Sequence, residues 1–559
     1  MFQREGHRII RSMPWALLVL GFACAAVRSQ VVAPTPIPTP NDPMPVQRTF
    51  QAADPPAIAA TRVGVISGTD LSITLQRAIE MALGNNNDLR VSRQEIRIAE
   101  FSLRGSRGVY DPLINSQGYY ESRTTPVAST IGGAVNGRVT QRQVFGDVGL
   151  SGFVPRFGGS YDAVFTSART DSTNRNATLN PQFPTSLTFT YIQPLLRGRR
   201  IDQNRRSIAV AAKNVELSET QLRLRTIGVV AAVESAYWNL VFALRNLQVQ
   251  DETLKQAREQ LESNKRLVEK GVLAPIEIVA ANAQIATFEQ TVSLAQETVT
   301  RAENILKTVI LADRRSPEWS RPIIPVTPVE NDVPQIGLEM AVSAALKDRP
   351  ELDQLAKTAD INRIDQRFYR DQAKPQIDFV GSYATSGLAG TPNPLSSGAA
   401  TVPENLKGGY ATSLGNLLQQ DFPTYRAGIQ IGLPLGNRTA KANLGRSLVE
   451  AERIETLRTQ TEQAIEAEVR NALQALRSAD ARVAAAAAAR AASEELFESE
   501  QRLFRAGTTT FYMVLQRQTE LSAARGRELQ ARTDLAIAIS EFNRAVGSTL
   551  RIRDVSVLK

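Results

Sequence analysis

Cysteine and histidine are almost absent from this chain, which has only Cys24 and His7 in 559 residues. Both lie within residues 1–30, where basic residues precede the apolar run MPWALLVLGFACAAV, a pattern typical of a secretory signal peptide. Removal of that segment leaves a mature chain without either residue. This excludes cysteine or histidine catalysis and the usual zinc sites, and it suits an oxidising compartment. We predict no enzyme, no metal site and no cofactor.

Long uncharged apolar runs are also lacking. The run in the signal peptide is too short for a confident membrane-spanning helix, and we find no later stretch that approaches ~18 uncharged apolar residues. Any part of the mature chain that enters a membrane must therefore enter it as strands. Lipidation of Cys24 is a second interpretation of the N-terminal segment, although Gly21 stands where such signals usually have leucine.

Clustered charge of one sign is missing as well. The formal net charge is +9, but 65 basic residues are interspersed with 56 acidic ones, as on solvated helix faces. We therefore predict no nucleic-acid partner, and such a partner would also conflict with export. Residues 31–69 contain PTPIPTPNDPMP and DPP, which predict an extended or disordered linker.

An internal repeat is the main feature that the chain does contain. The motif RLVEKGVLAPIEIV, which begins at Arg266, returns as RLFRAGTTTFYMVL, which begins at Arg502. LQRAIEMALGNNNDL matches LEMAVSAALKDRPEL in the same order, and DPLINSQGYY matches KPQIDFVGSY, both at an offset of 263 residues. Matches in one order predict two tandem units. We place the units at 70–312 and 335–548, with a linker at 313–334 and a tail at 549–559.

Each unit is predicted to begin with an amphipathic helix, at about 71–108 and 335–373, which ends just before a proline. Strands follow. In SLTFTYIQPLL, Leu187, Phe189 and Tyr191 alternate with threonines, and YRAGIQIGLPL alternates in the same way. Such strands fit a wall between lipid and a watery lumen, but a soluble sandwich strand alternates equally.

Two very long predicted helices, called rods below, distinguish a membrane wall from a soluble sandwich. The strand-to-helix turns at Pro194 and Pro434 are followed by proline-free stretches that predict helices at about 200–269 and 438–505. Each has ~70 residues and would reach ~105 Å. Gly271 and Gly507 end the rods, because glycine readily adopts the left-handed conformation that follows a helix. Helices about half as long return from these tips.

The order of helix, two strands, rod, tip and return helix, found twice, resembles the TolC family of outer-membrane efflux proteins over about residues 70–548. The turns QPLLRG and LPLGNR and the tip RLFRAGTTTFYMVLQRQTEL carry the resemblance best. It implies a mainly α fold with a small β part: a trimeric α-helical barrel in the periplasm of a Gram-negative bacterium, continued by a 12-strand β-barrel in outer-membrane lipid. Four strands from each of three copies would supply the twelve.

The resemblance also implies a function and partners. These are passive conduction through a homotrimer, with a periplasmic adaptor (membrane fusion) protein and an inner-membrane transporter as partners, and with adaptor docking at the tips around Gly271, Gly507, Arg266 and Arg502. A periplasmic coiled-coil adaptor would explain the helices but not the alternating strands. An ordinary porin would explain the strands but not the rods.

The family's gate carries over only in part. The resemblance puts Glu277 at the position of a carboxylate that closes the family's periplasmic end. Its tyrosine and arginine partners correspond here to Phe504 and Thr509, and two aspartates correspond to Met513 and Gln516. We therefore predict a constriction formed mainly by Met513 packing and Gln516 hydrogen bonding.

The first unit also carries extra residues, at 144–170. We expect them to form a long surface loop outside the cell, because barrel loops on that side are the longer ones.

Overall fold

The structure is a computed structural model that describes residues 63–66, 70–128, 130–134, 136–329, 333–394, 396 and 401–556. The predicted signal peptide, with Cys24 and His7, and most of the predicted proline-rich linker lie outside the described residues. In chain order the helices and strands are β1 (Leu71–Ile73), α1 (Leu75–Asn85), α2 (Asn87–Arg107), β2 (Leu113–Pro126), β3 (Arg138–Phe153), β4 (Ser160–Ser172), β5 (Leu179–Pro194), α3 (Gln203–Glu269), α4 (Ile276–Ile310), β6 (Ile323–Pro325), α5 (Leu338–Asp348), α6 (Pro350–Gln372), β7 (Gln376–Pro392), α7 (Tyr410–Gln419), β8 (Phe422–Gly432), α8 (Arg438–Arg505), α9 (Phe511–Val546) and α10 (Thr549–Ile552).

The two rods are confirmed. Helices α3 and α8 have 67 and 68 residues, and α4 and α9 return from their ends with 35 and 36 residues. In the half near the tips, α4, α3, α9 and α8 lie side by side, whereas α2, α3, α6 and α8 do so in the half near the strands. The helices of the chain therefore form a layer that is four helices wide both near the tips and near the strands.

Each predicted opening helix is divided in two. Asn86 separates α1 from α2, and its side chain accepts hydrogen bonds from the first backbone N–H groups of α2. Arg349 separates α5 from α6, because Pro350 follows it and starts a new helix without needing an N–H donor. Residues 71–73, which we expected to be helical, form β1 and pair in parallel with β6 from the predicted inter-unit linker.

The large sheet has six strands in the order β2-β3-β4-β5-β7-β8, and every neighbouring pair is antiparallel. The strands predicted around Phe189 and Ile431 are confirmed as parts of β5 and β8. Strands β2 and β7 begin directly after Pro112 and Pro375, where we expected the opening helices to have ended.

The predicted count of four strands per chain is wrong. The extra segment 144–170 is not a loop outside the cell, because it forms most of the hairpin β3–β4 within the sheet. The turn of this hairpin lies at the end of the sheet where β5 leads into α3, as shown by a 2.9 Å hydrogen bond from the Gln193 amide nitrogen to the Phe157 carbonyl. The 12-strand barrel depended on four strands per chain and does not follow from six.

The main apolar core lies where α1, α3 and α4 meet beside β1 and β6. Tyr237 of α3 is fully buried there, and its hydroxyl donates to the Ile73 carbonyl at 3.1 Å. Helix α3 contains an 18-residue window that is apolar enough to cross a membrane by composition, but 67% of this window is buried. Glu234 interrupts this run, so it is not an uncharged stretch of ~18 residues, and the structure shows that it belongs to the core.

Candidate functional site

The six-strand sheet has an apolar face and a polar face. Directly opposed residues in antiparallel strands point to the same side, so the strand register identifies the members of each face. One row crosses all six strands and consists of Ile114, Leu150, Ala163, Phe189, Tyr383 and Tyr425. All of its side chains are apolar or aromatic. The adjacent row on the other face is polar over five strands, with Ser151, Asp162, Thr190, Ser382 and Arg426.

The apolar face is exposed in the single chain. Phe189 is 46% exposed, Val148 51%, and Tyr425 77%, while Ile429 and Ile431 are each 63% exposed. A contiguous exposed apolar surface of this kind marks a region that lipid or another protein covers. The predicted separation of apolar from polar side chains along β5 and β8 is therefore confirmed.

The sheet has two free edges. Within the described part of the chain, β2 and β8 each pair with only one strand, over 14 and 11 residues. Because six strands alternate in direction, β2 and β8 run antiparallel to each other. The edge of one copy therefore has the direction needed to pair with the opposite edge of another copy.

The two predicted strand-to-helix turns converge on one segment. Pro194 ends β5 and Pro434 follows β8, and each is followed by residues with positive φ, Gly198 at +83° and Asn437 at 43°. The Gly198 N–H donates to the Asp371 carboxylate at 2.6 Å, and the Asn437 amide donates to the backbone at the end of α6 at 3.1 Å. These bonds fix the starts of both rods to the C-terminal end of α6.

The tips have the predicted conformation. Gly271 has φ +73° and Gly507 has φ +76°. The N–H after each glycine donates to the carbonyl five residues earlier, at 2.9 Å in the first tip and 3.1 Å in the second. Each glycine N–H also donates to the carbonyl three residues earlier, at 2.9 and 3.0 Å. Both rods thus end in a Schellman motif, with Arg266 and Arg502 exposed in their last turns.

A small apolar cluster joins the two tips. Phe511 and Val514 of α9 and Leu261 of α3 are buried, and Phe504 packs against them with its ring 5.8 Å from that of Phe511. The position at which the family's tyrosine was expected therefore belongs to a packing cluster. The tips of the two halves of the chain form one structural unit.

The three gate candidates lie at the start of α4 and α9 but outside the buried part of this cluster. Glu277 is half-buried, and no ion pair in the described chain joins it to Arg502, which instead lies 3.9 Å from Glu498. Met513 is half-buried, and Gln516 is exposed and bonded only within its own helix, to the Glu520 carboxylate at 3.1 Å. The gate role of these residues remains a prediction.

The hairpin β3–β4 supplies the residues that sequence reasoning missed. Its signal was present in VFGDVGLSGF, where Val144, Val148 and Leu150 alternate with Phe145 and Asp147, and the following PRFGG is typical of a turn. The mixture of aromatic and glycine residues on both sides weakened that alternation. The pairing of β3 with β2 and of β4 with β5 shows which side chains of the hairpin belong to each face of the sheet.

Comparisons with known proteins agree with this architecture. The family model described as outer membrane efflux protein matches residues 138–310 and 341–548. Among solved structures, the outer-membrane channel OprN is similar over 90% of this chain and 98% of its own, with a TM-score of 0.59 and 16% identity. The Campylobacter jejuni CmeC outer membrane channel is similar over 87% and 91%, with a TM-score of 0.59 and 16% identity. The open state of the Neisseria gonorrhoeae MtrE outer membrane channel is similar over 89% and 98%, with a TM-score of 0.56 and 18% identity. None of the curated protein sequences matches.

Proposed function

Because the chain belongs to the outer membrane efflux protein family, we propose that it is the outer-membrane exit duct of a tripartite efflux or type I secretion system. It conducts solutes or proteins passively from an inner-membrane transporter, through a periplasmic adaptor protein, to the exterior. One observation carries this proposal: a sheet with an exposed apolar face and a polar face leads directly into two helices of 67 and 68 residues. At 1.5 Å per residue, each helix extends about 100 Å below the sheet.

Assembly from several copies follows from the sheet. Six strands cannot close a barrel alone, since known transmembrane barrels have at least about eight, and an open strand edge in lipid leaves backbone groups unsatisfied. The antiparallel directions of β2 and β8 allow neighbouring copies to pair. Three copies is the number that the resemblance to the TolC family implies, and the polar face then lines the lumen.

The tips are the proposed docking site for the adaptor. Gly271 and Gly507 turn the chain there, and Arg266 and Arg502 present exposed cations in the last turns of the rods. These cations also complement the helix dipoles. An adaptor that binds the tips should therefore contribute carboxylates or backbone carbonyls.

The proposed gate lies just above the tips. The exposed sides of Met513 and Gln516 converge near the trimer axis and narrow the lumen, whereas Glu277, without an ion-pair partner in the described chain, contributes little. In planar bilayers, Met513→Ala should raise the single-channel conductance more than Glu277→Ala. Strong block by trivalent cations from the periplasmic side would contradict this gate, because such block needs a ring of carboxylates.

The function is tested by locating and cross-linking the protein. A cysteine placed on β2 is scanned against cysteines along β8 in intact cells, and disulfides between copies should give a three-chain product in the outer-membrane fraction. Deletion of the gene should also increase susceptibility to exported compounds or abolish secretion of a protein. A product found in the soluble or inner-membrane fraction would instead support a periplasmic adaptor. Outer-membrane channels with no effect on export would support a porin.

A further inference from the structure

The hairpin β3–β4 separates two strands that pair directly in the other half of the chain. Strands β7 and β8 of the second unit are neighbours, whereas the corresponding β2 and β5 of the first unit each pair with the hairpin instead. Pairing is long on both sides, from Leu113↔Ser151 to Pro126↔Arg138 and from Ser160↔Ile192 to Thr170↔Gln182. A plug or a surface loop would leave β2 and β5 paired with each other.

The hairpin continues the apolar face of the sheet. On β3 this face carries no charge over the nine residues from Val144 to Gly152, and Arg142 is the first charge above them. Nine residues at about 3.3 Å each and a tilt of about 40° rise about 23 Å, close to the apolar band of about 25 Å in outer-membrane barrels. On β4 the same face contains Tyr161 and Phe165, and its first charge, Arg169, lies opposite Val144 at the upper end of this band.

The other face of the hairpin continues the polar face. Asp147 of β3 lies opposite Thr166 of β4, and the Thr166 hydroxyl forms a 2.8 Å hydrogen bond with the Ser186 hydroxyl of β5. The polar row therefore passes from the hairpin into the rest of the sheet. A hairpin lying inside a barrel would not match both faces of its neighbours.

The hairpin is also fixed at the level of the strand-to-helix turns. Its turn is closed by a 2.7 Å hydrogen bond from the Val154 N–H to the Gly159 carbonyl. The Phe157 carbonyl accepts from Gln193, and the Arg199 guanidinium lies 5.8 Å from the Phe157 ring centre. Strand β3 thus ends, and β4 begins, at the level where β5 ends.

The six-strand sheet and the four-helix layer of one chain have similar widths. At a spacing of about 4.8 Å and a tilt of about 40°, six strands occupy about 38 Å of a barrel's circumference, whereas four strands occupy about 25 Å. Four helices side by side at 8–10 Å occupy about 32 to 40 Å. We infer that the hairpin β3–β4 is part of the membrane wall, so that three copies close an eighteen-strand barrel as wide as the helical barrel below it.

This inference rests on the proposed trimeric duct and concerns its substrates. Eighteen strands give a backbone diameter of about 36 Å, against about 24 Å for twelve. After side chains of about 5 Å are subtracted, the lumen radii are about 13 and 7 Å. The membrane section of this duct therefore admits solutes up to about 13 Å in radius, against about 7 Å for a twelve-strand barrel, and the size limit lies at the tips.

Thiol labelling of adjacent residues tests whether the hairpin is wall. Cys24 is the only natural cysteine, so single variants at the matched pairs Phe165→Cys and Thr166→Cys, and Val148→Cys and Asp147→Cys, each add one thiol to the expected mature chain. In proteoliposomes, a water-soluble maleimide should label Thr166→Cys and Asp147→Cys at least about tenfold faster, because neighbouring side chains point to opposite faces. Equal labelling within the pairs would overturn the inference, since both faces of the hairpin would then be in water.

One-sided polymer exclusion tests the width. A polyethylene glycol of hydrodynamic radius about 10 Å, added on the extracellular side, should enter the full-length channel and lower its conductance, because the expected lumen radius is about 13 Å. A variant lacking residues 138–172 retains the flanking loops and should exclude the polymer if it assembles. Full-length outer-membrane trimers that exclude the polymer would overturn the wide barrel and leave the duct intact. Absence of full-length trimers from the outer membrane would instead overturn the duct proposal.

Discussion

Phe189→Arg is the most direct test of which face of the sheet meets lipid. Phe189 lies between Ala163 of β4 and Tyr383 of β7 on the apolar face, so an arginine there has no carboxylate in its cross-strand neighbours. Arginine near the middle of an outer-membrane barrel's lipid face costs about 2–4 kcal/mol, or about 6–12 kcal/mol for three copies. That cost is comparable to the entire stability of many proteins. We expect assembly of the proposed trimer to fail.

Thr190→Arg is the matched control, one residue along the same strand. Thr190 lies opposite Asp162 and forms a 3.5 Å hydrogen bond with Ser382 on the polar face. An arginine there has a carboxylate beside it and water in front of it. We expect this variant to assemble normally and to change the channel's conductance and ion selectivity.

The assay is the amount of trimer in the outer-membrane fraction, measured on semi-native gels for the parent and both variants at equal expression. Conductance of each purified trimer is then recorded in planar bilayers. Equal amounts of trimer for the two variants, or loss of the Thr190→Arg trimer alone, would show that the assignment of lipid and lumen faces is wrong.

Three further changes test the helical part. Gly507→Ala should destabilise the tip by about 1–2 kcal/mol and speed hydrogen exchange of the nearby amides, because the left-handed conformation disfavours a Cβ. This cost is a backbone effect, since no atom lies within 4 Å of the position that the added Cβ would occupy. Gly507→Asn should cost less, because asparagine tolerates this conformation better. Glu234→Ala should lower stability by about 1.5–3 kcal/mol in a thermal or denaturant melt, since it removes the buried carboxylate that lies 2.5 Å from the partly exposed Arg553 guanidinium. An unchanged melt would show that this ion pair does not stabilise the fold. A hydrogen bond from Arg525 lowers the pKa of Glu494 in the folded chain. The stability that the Glu494 carboxylate contributes is therefore present above its unfolded pKa and is lost as pH falls through its folded pKa. The denaturant concentration at the unfolding midpoint should decrease when the pH is below about 4, and it should decrease less in Glu494→Gln.

Local pattern was enough to predict the two rods, the tips and the family. The rods at α3 and α8 follow from long proline-free stretches, and the tip conformations of Gly271 and Gly507 follow from the need for positive φ after a helix. The resemblance to outer-membrane efflux proteins, read from the turns and tips, is confirmed by the family match over residues 138–310 and 341–548. These features depend on residues that are close together in the chain, where spacing alone carries the information.

Partner choice between distant strands was not determined by any such local pattern. Residues 144–170 alternate weakly, and a hairpin, a plug and a surface loop are equally compatible with their composition. Only the pairing of β3 with β2 and of β4 with β5 decided that they extend the sheet. The apolar run around Tyr237 was similarly ambiguous until the packing of α1, α4, β1 and β6 around it made it a core. In both cases the sequence determined which side chains each segment tends to bury or expose. The position of the segment depended instead on the surfaces of other segments, which had to satisfy its backbone hydrogen bonds and cover its apolar side chains.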